Sequence, residues 1–124
     1  MPSDQKPWGW RIEGHHVSVN FTIDKGELIS STPSFFGSNP GIVKTGEDRG
    51  KQVLKQETDL GFALVNSFTT DQKEKAIIAD IALPEIVSGN KRKAALISPA
   101  GIKFTDLTKD QQRLLNQLLN VYVN

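Results

Sequence analysis

The feature that most constrains this chain is a break in parity between residues 8 and 23. From Val17 to Ile23 apolar and polar residues alternate cleanly. Val17, Val19, Phe21 and Ile23 face one way, and His16, Ser18, Asn20 and Thr22 face the other. Upstream the order is reversed: Trp8, Trp10 and Ile12 take even positions, Arg11 and Glu13 odd ones. One regular strand would put the tryptophans opposite Val17. One extra residue at Glu13-Gly14-His15 restores a common face, and a β-bulge supplies it. The expectation is a bulged strand with Trp10, Ile12, Val17, Val19 and Phe21 on its core face. Arg11, Glu13, His16, Ser18 and Asn20 then form one polar row.

Asp24-Lys25-Gly26 reads as a hairpin turn, with Gly26 at positive φ. The returning strand is expected from about Glu27 to Phe36, with Pro33 marking an edge or the strand's end. Ser38-Asn39-Pro40-Gly41 is a turn, and a polar loop runs on to Gly50.

The rest reads as helical. Lys51 to Phe68 has an apolar face of Val53, Leu54, Leu60, Leu64, Val65 and Phe68. Gly61 within it costs ~1 kcal/mol against Ala, which suggests close packing against another element. Thr69-Thr70-Asp71-Gln72 is a capping box opening a short helix through Ala79. Residues 81–102 carry little pattern beyond the turn signals Ser88-Gly89-Asn90 and Ser98-Pro99-Ala100-Gly101. Thr108-Lys109-Asp110-Gln111 repeats the box and opens a helix to about Tyr122, with Leu114, Leu115, Leu118, Leu119 and Tyr122 expected to be buried. The two boxes read as convergent capping rather than as an internal repeat.

Strands first and helices after give the α+β class. The expected organisation is a loose arm over 1–7 and a single α+β domain over 8–124, with the bulged hairpin packed against two or three helices. A lone hairpin is marginal in water. The chain therefore looks short of sheet, to be completed by another chain, by missing sequence or by a second copy.

The 124 residues are 37% hydrophobic and 23% charged, with a net charge of +1. That balance is ordinary for a soluble domain and gives no electrostatic reason to expect nucleic acid or an anionic membrane. Lys91-Arg92-Lys93 alone makes no nucleic-acid site and reads as a solvated turn. No apolar run approaches the ~20 residues that span a bilayer. The opening MPSDQKP lacks the apolar core of a signal peptide. Compartment is not legible.

Without cysteine, disulfides and thiolate metal sites are excluded. His15 and His16 are the candidate ligands for a divalent transition metal. Imidazole suits zinc, iron, copper or nickel, but a site needs three or four ligands. Glu13 becomes a third ligand if a bulge turns it inward. The plain alternative is a pair of structural, hydrogen-bonded histidines. Within the polar row, Glu13 and His16 are the candidates for proton transfer near neutral pH. Arg11 is a candidate anion clamp, and Ser18 and Asn20 are candidates for orienting a small-molecule ligand. The plain reading of that row is a solvated sheet face. Ser18 and His16 merely line up on one strand and do not make a nucleophile and base. Gly46-Glu47-Asp48-Arg49-Gly50-Lys51 is one residue short of a phosphate loop, and Gln52 replaces its hydroxyl residue. Asn20-Phe21-Thr22 matches a glycosylation sequon by chance, midway along a strand.

Pro7-Trp8-Gly9-Trp10-Arg11-Ile12-Glu13-Gly14-His15-His16-Val17-Ser18-Val19-Asn20-Phe21-Thr22 resembles a bacterial and fungal family catalogued as domain of unknown function 3500. Thr32-Pro33-Ser34-Phe35-Phe36-Gly37-Ser38-Asn39-Pro40 is similar to a second block of it. The resemblance runs on through Leu107-Thr108 and Asp110-Gln111-Gln112-Arg113-Leu114-Leu115 to the C-terminus. It implies that relatives are longer on both sides, and that a later His-x-His stretch in them has no counterpart here. It implies no activity. It draws attention to Glu13, His15, His16, Asn20 and Asn39, the last added to the ligand-binding candidates.

Two functions follow as expectations. One is an enzyme half-site, metal-dependent or acid–base and hydrolytic, on the polar face of the 8–23 strand. The other is a non-catalytic binding or assembly module with structural histidines, forming a homo-oligomer through an exposed strand edge.

Overall fold

The computed structural model describes residues 1–87, 89 and 98–123. The basic run Lys91-Arg92-Lys93 lies outside them, as do Ser88 and Asn90. Among the described residues the class is α+β, with an open antiparallel sheet and then three α-helices. The chain divides into two compact units, residues 1–54 and 55–124.

The first unit holds β1 (Trp8–Gly14), β2 (Val17–Asp24), β3 (Glu27–Ser30) and β4 (Ser34–Phe36). β1 pairs with β2 in unbroken register, from Trp8 opposite Ile23 to Gly14 opposite Val17. This corrects the expected bulge at Glu13-Gly14-His15. The parity break is a chain reversal: His15 and His16 are the two-residue loop of a hairpin. A bulge and a reversal shift parity alike, so the two faces keep the expected membership. Cross-strand partners share a face. Trp10 opposes Phe21 and Ile12 opposes Val19 on the apolar side, and Arg11 opposes Asn20 and Glu13 opposes Ser18 on the polar side.

The second reversal is the expected one. Lys25 at φ 50° and Gly26 at φ 82° have the paired positive angles of a type I′ turn, which matches strand twist. The return is interrupted. β3 pairs with the C-terminal end of β2, β4 pairs with its N-terminal end, and Ser31 to Pro33 leave the ladder between them. The sheet irregularity falls here, where β3 skips Ile29 between the pairs Ile23–Leu28 and Thr22–Ser30. The sheet has four strands in three rows, more than the lone hairpin foreseen.

Gly9 is required by close approach. A Cβ there would stand 2.8 Å from the carbonyl oxygen of Phe21. That explains the glycine between two tryptophans: the β1 backbone lies too near β2 for a side chain.

The second unit holds α1 (Lys55–Asn66), α2 (Thr70–Ala76), a 3₁₀ turn (Phe104–Asp106) and α3 (Lys109–Val123). Its core is Leu64, Phe68 and Leu107, packed with Ala76, Ile102, Leu114 and Leu115. α1 starts later than expected, leaving Val53 exposed ahead of it. Gly61 has open space where a Cβ would be, so it reflects no close contact. Leu119 and Tyr122 are exposed, against expectation.

Both capping boxes form. Thr69 Oγ1 accepts from Gln72 N while Gln72 Oε1 accepts from Thr69 N. Thr108 and Gln111 do the same. The two box glutamines then meet as a reciprocal amide pair, with Gln111 Nε2 donating to Gln72 Oε1 at 2.8 Å and Gln72 Nε2 donating to Gln111 Oε1 at 3.0 Å. Their remaining N–H groups reach Ser67 O and Asp106 O. Gln111 is buried and polar, and this pairing satisfies it.

Candidate functional site

The polar face of the sheet brings four candidates together by register alone. Arg11 and Glu13, two apart on β1, point the same way, and Arg11 Nε lies 3.4 Å from Glu13 Oε2. Both are well exposed, so the pair orients the side chains and adds little stability. Ser18 and Asn20 stand opposite them on β2.

Asn20 is already engaged. Its Nδ2 donates to Pro33 O at 2.9 Å. The chain leaves the ladder at Ser31 to Pro33, directly alongside Asn20, and the side-chain amide takes up a carbonyl there. Asn20 thus ties the two halves of the interrupted row to the central strand.

His15 and His16 sit in the loop between β1 and β2, with rings edge to face at 4.4 Å between centroids. Neither has positive φ, so the loop is not of the primed type that suits strand twist best. It is braced from the side: Gly37 N donates to His16 O at 2.8 Å and extends the β2–β4 ladder by one step. His15 is exposed and His16 half-buried. Among the described residues no group of three or more His, Cys, Asp or Glu side chains is placed to hold a metal ion. The donor set at the turn is the two imidazoles, short of the three or four ligands a transition metal takes.

Phe35 was missed as a member of this face. It stands opposite Ser18, and a Cβ on Gly37 would lie 3.0 Å from Phe35 Cζ and 3.3 Å from His16 Nδ1. The half-buried Phe35 ring and the His16 imidazole therefore both border Gly37. An unbroken strand from Glu27 would have set Phe35 on the same face but opposite His16; the irregularity at Ile29 and the break at Ser31 to Pro33 move it opposite Ser18. Asn39 lies beyond β4, exposed, at the cis Asn39–Pro40 bond. The near phosphate loop is a closed surface turn: Val43 N donates to Lys51 O and Gly50 N donates to Val43 O.

The opposite face is apolar and open. Trp10 stacks on Phe21 with ring centroids 4.2 Å apart, yet remains 44% exposed. Ile12 at 55% and Phe36 at 49% lie on the same side. β1 has a strand on one edge and, among the described residues, none on the other. In the second unit an open groove of about 610 Å³ between α1 and α3 is lined by Gln56, Leu60, Gln117, Asn120 and Val121. Among the described residues no helix is long and apolar enough to cross a membrane.

No curated protein and no solved structure matches the chain. One family model does, over residues 1–124, the whole length. The sequence resemblance read from the Pro7–Thr22 and Thr32–Pro40 blocks therefore holds, and the chain belongs to the family described as protein of unknown function (DUF3500).

Proposed function

We propose that this chain is a non-catalytic binding and assembly module that works through the first unit's sheet. The observation that carries this reading is the outer edge of β1, a seven-residue strand that among the described residues has no strand on that side, bordered by exposed Trp10 and Ile12. Unpaired strand edges are templates for pairing with another chain.

The polar row supports the same reading. Arg11 is matched to Glu13, Asn20 holds Pro33, and the His16 carbonyl holds Gly37. These contacts give the row a structural use. The enzyme half-site would instead require Glu13 and His16 to move protons or hold a metal with His15.

Thermal melting with added zinc or nickel discriminates the two. The module reading expects no metal-dependent stabilisation, and melting of His16→Ala unchanged by metal. Stabilisation by either ion that disappears in His16→Ala overturns it in favour of a metal half-site.

A further inference from the structure

We propose that the partner of the β1 edge is β1 of a second copy of this chain, paired antiparallel about a two-fold axis at Ile12. This rests on the module reading and names its occupant.

Hydrogen-bond phase limits the registers open to such a pair. Gly14 and Val17 close a two-residue loop, so they form a hydrogen-bonded pair. Such pairs alternate along an antiparallel ladder. Trp8, Trp10 and Ile12 therefore turn their N–H and C=O groups toward β2, while Gly9, Arg11 and Glu13 turn theirs to the open edge. A second β1 can bond only in a register that places these outward residues opposite one another.

Side-chain charge then selects among those registers. Centring the pair on Ile12 puts Arg11 opposite Glu13 of the second copy, twice by symmetry. It also gives four backbone hydrogen bonds from the outward groups of those residues. Sliding one allowed step either way sets Arg11 against Arg11 or Glu13 against Glu13, which is unfavourable directly across a ladder. Arg11 and Glu13 already lie 3.4 Å apart within one chain, so the axis gathers four alternating charges.

The apolar side agrees. Ile12 meets Ile12 of the second copy in the pair not bonded through the backbone, where side chains approach most closely. Trp10 falls opposite Gly14 of the second copy, which has no side chain to obstruct the indole. The two faces of the sheet stay in step across the axis, as isologous association demands.

The test is sedimentation equilibrium of the whole chain and of charge variants at low ionic strength, where surface pairs act most strongly. The native chain is expected to pass with concentration from 13.7 kDa to twice that mass. Arg11→Glu should weaken dimerisation by about tenfold or more, and the double exchange Arg11→Glu with Glu13→Arg should restore it to within about threefold. Circular dichroism checks that each variant keeps its fold, and the well-exposed Arg11 side chain makes that the expected result. A chain that stays monomeric at all concentrations, or a dimer indifferent to Arg11→Glu or not restored by the double exchange, overturns the proposal. Failure here with no metal effect on melting removes the second copy as partner and leaves the module reading. A His16-dependent metal effect removes that reading whatever the mass.

Discussion

Gln72 and Gln111 hold each other by both ends of their amides, 2.8 and 3.0 Å apart, although they are 39 positions apart in sequence. Each also closes the capping box of its own helix. One hydrogen-bonded unit thus joins the starts of α2 and α3, the end of α1 through Ser67, and the 3₁₀ turn through Asp106.

Gln111→Glu should therefore destabilise the second unit strongly. The substitution keeps the shape but replaces Nε2 by an oxygen facing Ser67 O and Gln72 Oε1. Ser67 O loses its donor, and Gln72 Oε1, which keeps Thr69 N, then faces an oxygen, so the expected loss is about 1–3 kcal/mol. Chemical denaturation of the whole chain, followed by helical circular dichroism, checks it.

The pairing itself is separable from the caps. In a double-mutant cycle of Gln72→Ala and Gln111→Ala, a coupling of ~1–2 kcal/mol is expected, because each single variant already breaks the shared bonds. Additive losses would mean that the two boxes act alone.

Gly9→Ala should destabilise the sheet by ~1–3 kcal/mol, since its Cβ would stand 2.8 Å from a backbone oxygen that cannot move aside alone. Gly14→Ala meets open space and should cost much less. The comparison is read from thermal melts of the two variants.

Asn20→Ala should cost ~1 kcal/mol and loosen Ser31 to Pro33, because the Pro33 carbonyl loses its donor. Faster amide exchange at Ser31 and Thr32, with β1–β2 exchange unchanged, is the expected signature.

Local chemistry was legible in the sequence. The two Thr-x-Asp-Gln boxes and the Lys25-Gly26 turn announce themselves within four residues. The membership of both sheet faces was legible too, because a bulge and a two-residue reversal flip parity alike. The element causing that shift was not. His15-His16 lacks the Asn, Asp or Gly of a usual two-residue turn, and Gly14 beside it suggests a bulge instead. The brace that supports this turn, Gly37 on His16, comes from 21 residues downstream. The Gln72–Gln111 pair was hidden for a similar reason: each box explains its own glutamine. Gly61 and the exposed Leu119 and Tyr122 show the limit of helical periodicity, which marks a face without saying that anything covers it.

His15-His16 reverses the chain, setting β1 beside β2 with Gly9, Arg11 and Glu13 turned to the free edge. Nuclear Overhauser contacts between α-protons test it most directly, because they are strongest across pairs not bonded through the backbone. The account predicts strong contacts from Arg11 to Asn20 and from Glu13 to Ser18. Their absence, with Glu13 to Val17 continuing as one extended strand, would contradict it.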